Sequence, residues 1–268
     1  MPYIFKRYYN LKPFYNFYNL VNFYKLFLIV KNPFSYILWI LKLNSKYLTI
    51  KVRTPVGTIK LKLHNRQAAK TFYSIFIRQD YICSKKNYNF IDIGSNIGIS
   101  ASYFLSRNKQ NLVYCVEPDK YNQPILLENL SQFKDRFYIN SNALGPKDEK
   151  VGTFNITNDG KHSSLKSIGY DYFKESIDVE INSLEKICEL SNSFFKIKKQ
   201  VILKVDVEGL EEEVFSNFKI SHFDNINYIF HELAEFSCFE RNYKFYFDKK
   251  IKSKTRNGCI VITKIIKS

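Results

Sequence analysis

From residue 88 onward, short apolar segments alternate with stretches of helical periodicity, and no other feature of the chain constrains its fold as strongly. Segments 89–93, 112–117, 137–141, 201–207 and 226–232 read as strands, with helices running from the first strand to near 107 and over 120–132. Strand–helix–strand repetition builds a parallel sheet, because parallel neighbours need a crossover between them. A polar stretch rich in Ser, Asn and Lys, 151–200, interrupts the alternation and predicts a strand pair, a loop and one short helix. The end, 243–248 and 258–266, predicts an antiparallel closing hairpin around Asn257–Gly258.

The segment before residue 88 has a different character. Fifteen of the chain's 45 aromatics lie in residues 1–48, interleaved with Lys and Asn. The run Leu26 to Leu43 is apolar, but Lys31, Asn32 and Pro33 break it, and a membrane span needs about 20 apolar residues. No small-residue cleavage site follows, which fits a signal peptide poorly. Two short amphipathic helices are expected, packing on the protein's own core or lying on an anionic membrane surface. Alternating Leu48, Ile50, Val52 and Ile59, Leu61, Leu63 around Pro55–Gly57 predict a hairpin, and a helix follows over 66–79.

Charge follows the same division. Residues 1–79 carry 14 Lys or Arg and no acid, residues 80–240 carry 18 against 24 acids, and residues 241–268 carry 9 against one. The net +16 is therefore an acidic middle between basic ends, and any attraction to anions belongs to the ends. With 45% hydrophobic residues over 268 positions, the chain is neither disordered nor collagen-like, nor a small stapled scaffold. Its five cysteines, Cys83, Cys115, Cys188, Cys238 and Cys259, form no CxxC pair. Reduced thiols in a cytoplasmic protein are expected, with no disulfide framework and no zinc site.

The stretch FIDIGSNIGIS, Phe90 to Ser100, runs from a strand through two glycines into a helix. A ligand at the carboxyl end of a parallel strand is the usual arrangement in such sheets. A dinucleotide pattern needs glycine at 94, 96 and 99, and positions 96 and 99 are Asn and Ile. The pattern present is D-x-G-x-N-x-G. Its acid, Asp92, disfavours a pyrophosphate and suits a cationic or amine group. The next strand ends in Glu117, a residue type that accepts both hydroxyls of a ribose. The third strand leads to Asn140-Ser-Asn-Ala-Leu-Gly145, a turn that offers Asn142 or the Ala143 backbone to an adenine ring. A cationic end, a ribose and no diphosphate describe S-adenosylmethionine.

A second cluster is VILKVDVEG, Val201 to Gly209. Strand alternation puts Ile202, Lys204, Asp206 and Glu208 on one face. Charges on a central strand cost desolvation unless they pair or face a cleft. Lys204 either pairs with a carboxylate or holds a substrate oxygen, and Asp206 is the first candidate for a general base. A metal-assisted variant gathers Asp206, Glu208 and Glu232 around a divalent cation, with magnesium favoured by oxygen ligands. His231 and Glu232, at the end of the fifth strand, are expected at the same rim. His162 in the polar insertion is a further candidate.

FIDIGSNIG, YCVEPD with a following ENL, NALG, HSSL, INSLEKI, LKVDVEGLEEEVF and IFHEL together resemble the FkbM family of S-adenosylmethionine-dependent methyltransferases over about residues 50–235. The KxDxEG stretch with a preceding SLE is the specific part. The resemblance implies an α/β fold with a seven-stranded, mostly parallel sheet and helices on both faces. It implies O-methylation of sugar or polyketide hydroxyls, often in surface-glycan biosynthesis, with a small-molecule or lipid-linked glycan as acceptor. It carries Asp92, Gly94, Asn96, Gly98 and Glu117 over to cofactor binding, with Ser95 where many members have Ala. Lys204, Asp206 and Glu208 become the active-site signature. Residues 1–48, an aromatic and basic helical appendage, are not covered. Residues 49–268 form the expected methyltransferase domain, with a cofactor half over about 88–145, an insertion over 146–200 and the active-site strand and closing hairpin over 201–268.

Two other readings compete. RNA methylation through the basic ends is opposed by the acidic middle and by VDVE where a base-methylating NPPY-like motif would stand. A non-enzymatic membrane scaffold is opposed by the intact D-x-G-x-N-x-G and KVDVEG motifs.

Overall fold

The computed structural model describes residues 17–41, 47–81, 86–157, 163–165, 173–196, 199–207, 209–218, 225–232, 251–256 and 260–265. The chain forms two compact units, Met1–Gln79 and Asp80–Ser268.

In the first unit, helix α1 (Phe17–Ile29) and helix α2 (Pro33–Ile40) flank the expected break. Proline lacks an N–H and has a helical φ, so it suits the opening position of a helix and not its interior. Strands β1 (Leu48–Thr54) and β2 (Gly57–Leu63) form the antiparallel hairpin, and their alternation buries Ile50, Val52, Ile59, Leu61 and Leu63. The turn between the two helices is stitched to β1. Lys31 N donates to the Lys51 carbonyl at 2.7 Å, Lys51 N to Asn32 Oδ1 at 2.9 Å, and the Arg53 guanidinium to the Leu28 carbonyl at 2.9 Å. Helix α3 (Arg66–Phe72) is capped by Asn65, whose Oδ1 accepts from Ala68 N at 2.8 Å, and runs into a π-helical turn, Tyr73–Arg78. The Tyr36 hydroxyl donates to the Ala69 carbonyl at 2.9 Å, and its ring meets Phe72 edge-on. Leu26, Val30, Tyr36 and Trp39 are buried, so the inner faces of α1 and α2 pack within the unit.

The second unit is built on β3 (Asn89–Ile93), α4 (Ile99–Leu105), β4 (Leu112–Val116), α5 (Gln123–Leu130), β5 (Phe137–Asn140), β6 (Ala143–Leu144), β7 (Glu149–Thr157), β8 (Phe173–Asn182), α6 (Leu184–Phe195), β9 (Val201–Val205), α7 (Glu211–Asn217), β10 (Ile226–Glu232), β11 (Ile251–Arg256) and β12 (Ile260–Ile265). Among the described residues seven strands form the main sheet, in the order β11-β12-β10-β9-β3-β4-β5. Five of them, β10, β9, β3, β4 and β5, are parallel. The remaining two close the sheet as an antiparallel hairpin, so the parallel character stops at β10. The sequence places the first hairpin strand at 243–248, whereas the structure has it at Ile251–Arg256, directly before the Asn257–Gly258 connection. Short connections are the favoured ones in hairpins, and a strand ending at 248 would leave a long loop. Residues 243–248 lie outside the described residues.

Both faces of this sheet are covered. Ile91, Ile93, Leu203, Val205 and Ile229 pack with Leu184, Ile187 and Cys188 of α6 and Val214 and Phe215 of α7. On the other face Phe90 stacks on Phe104 of α4, with ring centroids 3.6 Å apart. Each such fully buried side chain contributes roughly 1.5–3 kcal/mol. The polar insertion forms a separate sheet, β6-β8-β7, over a small core of Ala143, Phe154 and Ile156.

Candidate active site

In the central sheet, Asp92 on β3 is in register with Lys204 on β9. Strand alternation sends both side chains to the face that carries Phe90. Asp92 is 0% exposed and Lys204 3%. Lys204 Nζ lies 3.2 Å from Asp92 Oδ1 and 3.4 Å from Asp206 Oδ2. It also donates to the carbonyls of Ile93 and Gly94, at 3.2 and 2.9 Å. An ammonium has three N–H groups, and four oxygens surround this one. Of the two roles open to Lys204 in the sequence, the structure shows the pairing with carboxylates. Asp92 Oδ2 also accepts from the Ser100 hydroxyl. Burial pushes the Asp92 pKa up, and Lys204 and Ser100 oppose it.

The glycine loop hangs from the next strand. Gly94 N and Ser95 N both donate to the Val116 carbonyl, at 3.0 and 3.1 Å, and Ser95 Oγ donates to the Asp92 carbonyl at 2.6 Å. Gly94 has φ 73°, and a Cβ there would overlap the Asp206 carbonyl. Only glycine lets these two turns approach so closely. Asn96 also has a positive φ, 49°, and donates its N–H to Glu117 Oε2 at 2.6 Å. Gly98 opens α4, where a Cβ would come within 2.6 Å of Leu126.

Glu117 follows β4 and is 5% exposed. Its Oε1 accepts from Asp119 N at 3.0 Å and from the Asn122 amide at 3.3 Å. Burial raises its pKa to about 7, against the lowering effect of the N–H groups of Asp119 and Asn96. Its own N–H donates to the Asn140 carbonyl. Asn142 is tied to that position, donating its N–H to Asn140 Oδ1 at 2.8 Å and its amide to Asn182 Oδ1 at 2.9 Å. Ala143 is buried in the insertion core and pairs with Ile181.

Residues 92–252, more than half of the chain, match the model of the methyltransferase FkbM domain. The chain belongs to the FkbM methyltransferase family. The matched segment begins at the buried Asp92 and takes in the whole strand-end cluster. Among solved structures, yhhF of Escherichia coli, described as a methyltransferase, is 13% identical, with 81% of this chain and 99% of that chain covered at a TM-score of 0.42. The precorrin-6y C5,15-methyltransferase of Geobacter metallireducens is 9% identical, covering 68% and 81%, at 0.36. TrmK of M. capricolum, in complex with S-adenosyl-homocysteine, is 10% identical, covering 70% and 66%, at 0.31. Family membership rests on the matched domain and not on these distant likenesses. A search of curated proteins finds no match to the chain.

Several residues of this FkbM site are not legible as site residues in the sequence. Asp119 is buried, accepts from Tyr121 N, and takes the Ser163 hydroxyl on Oδ2 at 3.2 Å. Ser163 in turn accepts from Thr157 N, so the HSSL segment of the insertion is joined to the loop after Glu117. Glu211 takes Val207 N on one carboxylate oxygen and Gly209 N on the other, each at 3.0 Å. It thereby brackets position 208. Glu208 and His162 themselves lie outside the described residues. The spacing G-x-E at 209–211 is the only sequence signal for Glu211, and the turn dipeptide Pro118–Asp119 the only one for Asp119.

His231 is not at the rim. It pairs in register with Val205, and its imidazole lies edge-on to Phe215, 5.6 Å between centroids, on the α7 face. Burial lowers its pKa to about 4, so it is neutral at pH 7. Among the described residues, no three His, Cys, Asp or Glu side chains gather to hold a metal ion. Glu208 and the Glu232 side chain, two of the expected magnesium ligands, are not among them. Cys115 and Cys188 are free and buried, and burial pushes both thiols up in pKa.

Proposed function

We propose that this FkbM protein is an S-adenosylmethionine-dependent O-methyltransferase acting in the cytoplasm on a sugar hydroxyl of a surface-glycan precursor. One observation carries the reading. The ammonium of Lys204 binds the glycine loop at Gly94 and the candidate base Asp206 at the same time, so both are fixed against each other.

The residues present fit the cofactor. Gly94 and Asn96 are the half-exposed positions of the loop, and Glu117 is a buried acid beside it. Gly94, Ser95, Asn96 and Gly98 shape the cradle; Asp92, expected to meet the ligand's amine, is instead buried against Lys204 and braces the cradle from below; Glu117 takes the ribose, and Asn142 or the Ala143 backbone takes the adenine. When bound, S-adenosylmethionine supplies a methyl carbon on a sulfonium, an electrophile for a hydroxyl oxygen. Asp206, partly exposed just beyond β9, accepts the hydroxyl proton. Lys204 orients that carboxylate rather than the acceptor. Fixing base and cradle in one frame supplies rate through positioning. The glycan class of the acceptor rests on the family resemblance.

The test is transfer from labelled cofactor to a panel of glycans, lipids and RNA. Asp206→Asn is expected to lower kcat by about 10²–10⁴-fold while cofactor affinity stays within a few-fold. Full activity in this variant removes the base assignment, and calorimetry without cofactor binding removes the whole reading. Transfer to RNA with steep salt dependence would favour the nucleic-acid alternative.

A further inference from the structure

The outer faces of α1 and α2 carry apolar side chains that their own unit does not bury. On α1, Leu20, Tyr24 and Leu28 recur at helical spacing, with Tyr24 64% exposed. On α2, Phe34 is 69% exposed and Leu38 40%. Phe27 joins the two faces, its ring meeting Phe23 at 5.1 Å and Phe34 at 5.6 Å, both edge-on. The exposed side chains therefore form one patch across a helix pair. Single exposed hydrophobics are ordinary, whereas contiguous patches mark interaction surfaces.

Charge and length decide what covers it. The unit holding the patch, residues 1–79, has 14 Lys or Arg and no Asp or Glu, and Lys31 and Lys51 are exposed beside the turn between the helices. A second copy would bring two such cationic units face to face, where like charges repel. An anionic surface is attracted. Thirteen residues make α1 roughly 20 Å long and eight make α2 roughly 12 Å, both short of the ~30 Å hydrocarbon core. Among the described residues no helix is long and apolar enough to cross a membrane. Short helices with apolar outer faces and cationic surroundings lie in the plane of an interface.

We propose that α1 and α2 form a docking surface for an anionic lipid bilayer. Leu20, Tyr24, Leu28, Phe34 and Leu38 enter the boundary between headgroups and acyl chains, and the surrounding lysines and arginines face the headgroups. This inference does not depend on the methyl-transfer reading.

The test uses the full chain and vesicles of phosphatidylcholine, with and without phosphatidylserine. Wild type is expected to float with the anionic vesicles, less with neutral ones, and less as salt rises. The double variant Leu28→Asp/Phe34→Asp is expected to lose at least roughly tenfold in partitioning, because two apolar anchors become anions. Val151→Asp, at an exposed apolar position on β7, should float like wild type. Far-ultraviolet circular dichroism and thermal unfolding, compared with wild type, check that the double variant is folded. A second measurement needs no variant. Wild-type protein injected beneath a monolayer of the same anionic lipid should raise its surface pressure, because the patch side chains enter the acyl boundary. Absence of flotation, undiminished flotation of the double variant, or an unchanged surface pressure each overturns the proposal. So does a wild-type dimer that the double variant dissolves without vesicle binding, which would make a second copy the occupant.

Discussion

Replacing Lys204 by Met keeps the aliphatic stem and deletes the ammonium between two carboxylates. At an effective dielectric constant near 20, unit charges separated as Lys204 and Asp92 are, 3.2 Å, attract by about 5 kcal/mol, and the contact with Asp206 at 3.4 Å is of similar size. Desolvation of the ions offsets part of this, at several kcal/mol per ion. The variant keeps the cost of burying Asp92 and loses the compensation, leaving the carboxylate facing Ser100 with Asp206 nearby. The hydrogen bonds to the Ile93 and Gly94 carbonyls go as well. The expected loss of stability is about 3–5 kcal/mol at neutral pH. The sign of its pH dependence follows from Asp92. Its pKa is already raised in the folded protein by burial, and removing Lys204 raises it further. A raised carboxyl pKa means that the folded state binds the proton more tightly, so the penalty shrinks as pH falls and is largest above the folded pKa. Urea unfolding at pH 7 and pH 5 measures both effects. Asp92→Asn combined with Lys204→Met should be less damaging than Lys204→Met alone, with a coupling of about 1–3 kcal/mol. A loss under about 1 kcal/mol at pH 7, no relief at pH 5, or additive single effects would refute the account of a buried, mutually compensated cluster.

Burial raises the Glu117 pKa from 4.5 to about 7 in the folded protein, so the protein without cofactor should lose about 2.5 kcal/mol of stability through this group as pH rises from 5 to 8. In Glu117→Gln that slope should flatten, and cofactor affinity should fall, which thermal unfolding across pH and calorimetry would show. Gly94→Ala forces a side chain into positive φ and onto the Asp206 carbonyl, and should cost about 2 kcal/mol or more and abolish cofactor binding. Glu211→Ala strips the clamp from Val207 and Gly209, and should cost about 1–3 kcal/mol and lower kcat more than it raises the cofactor Kd.

The parallel strands are legible because a strand buried on both faces is a short, continuous apolar run. β3, β4 and β9 fall at the expected positions for that reason, and β10 and the edge strand β5 fall there although Tyr138 is exposed. The closing hairpin is harder, since Tyr243 to Asp248 has the aromatic content of a strand and competes with Ile251–Arg256 for the same role. Alternation along 201–209 correctly gives a charged face, but not its neighbours. The pairing of Lys204 with Asp92 depends on register between strands far apart in sequence, and register is a tertiary property. His231 shows the same limit in reverse. Its place at a strand end is visible, yet a single step of alternation turns it toward Phe215 and away from Asp206. Asp119 and Glu211 act through loop N–H groups, which leave no periodic trace in a sequence. The apolar run broken at Lys31–Pro33 predicts two amphipathic helices, but which side chains face inward and which outward required the helices to be placed on β1 and α3.

The boundary between the two compact units falls at the first acidic residue of the chain, Asp80. The amino-terminal unit thus holds no carboxylate side chain at all, and its single histidine, His64, has its pKa lowered by burial. The unit therefore has no carboxylate to protonate, and His64 loses its charge at a lower pH than a free imidazole. The anionic surface proposed for this unit would meet cations without competing carboxylates of the unit itself. Release of such a docked state would then be governed by ionic strength and by the charge of the opposing surface.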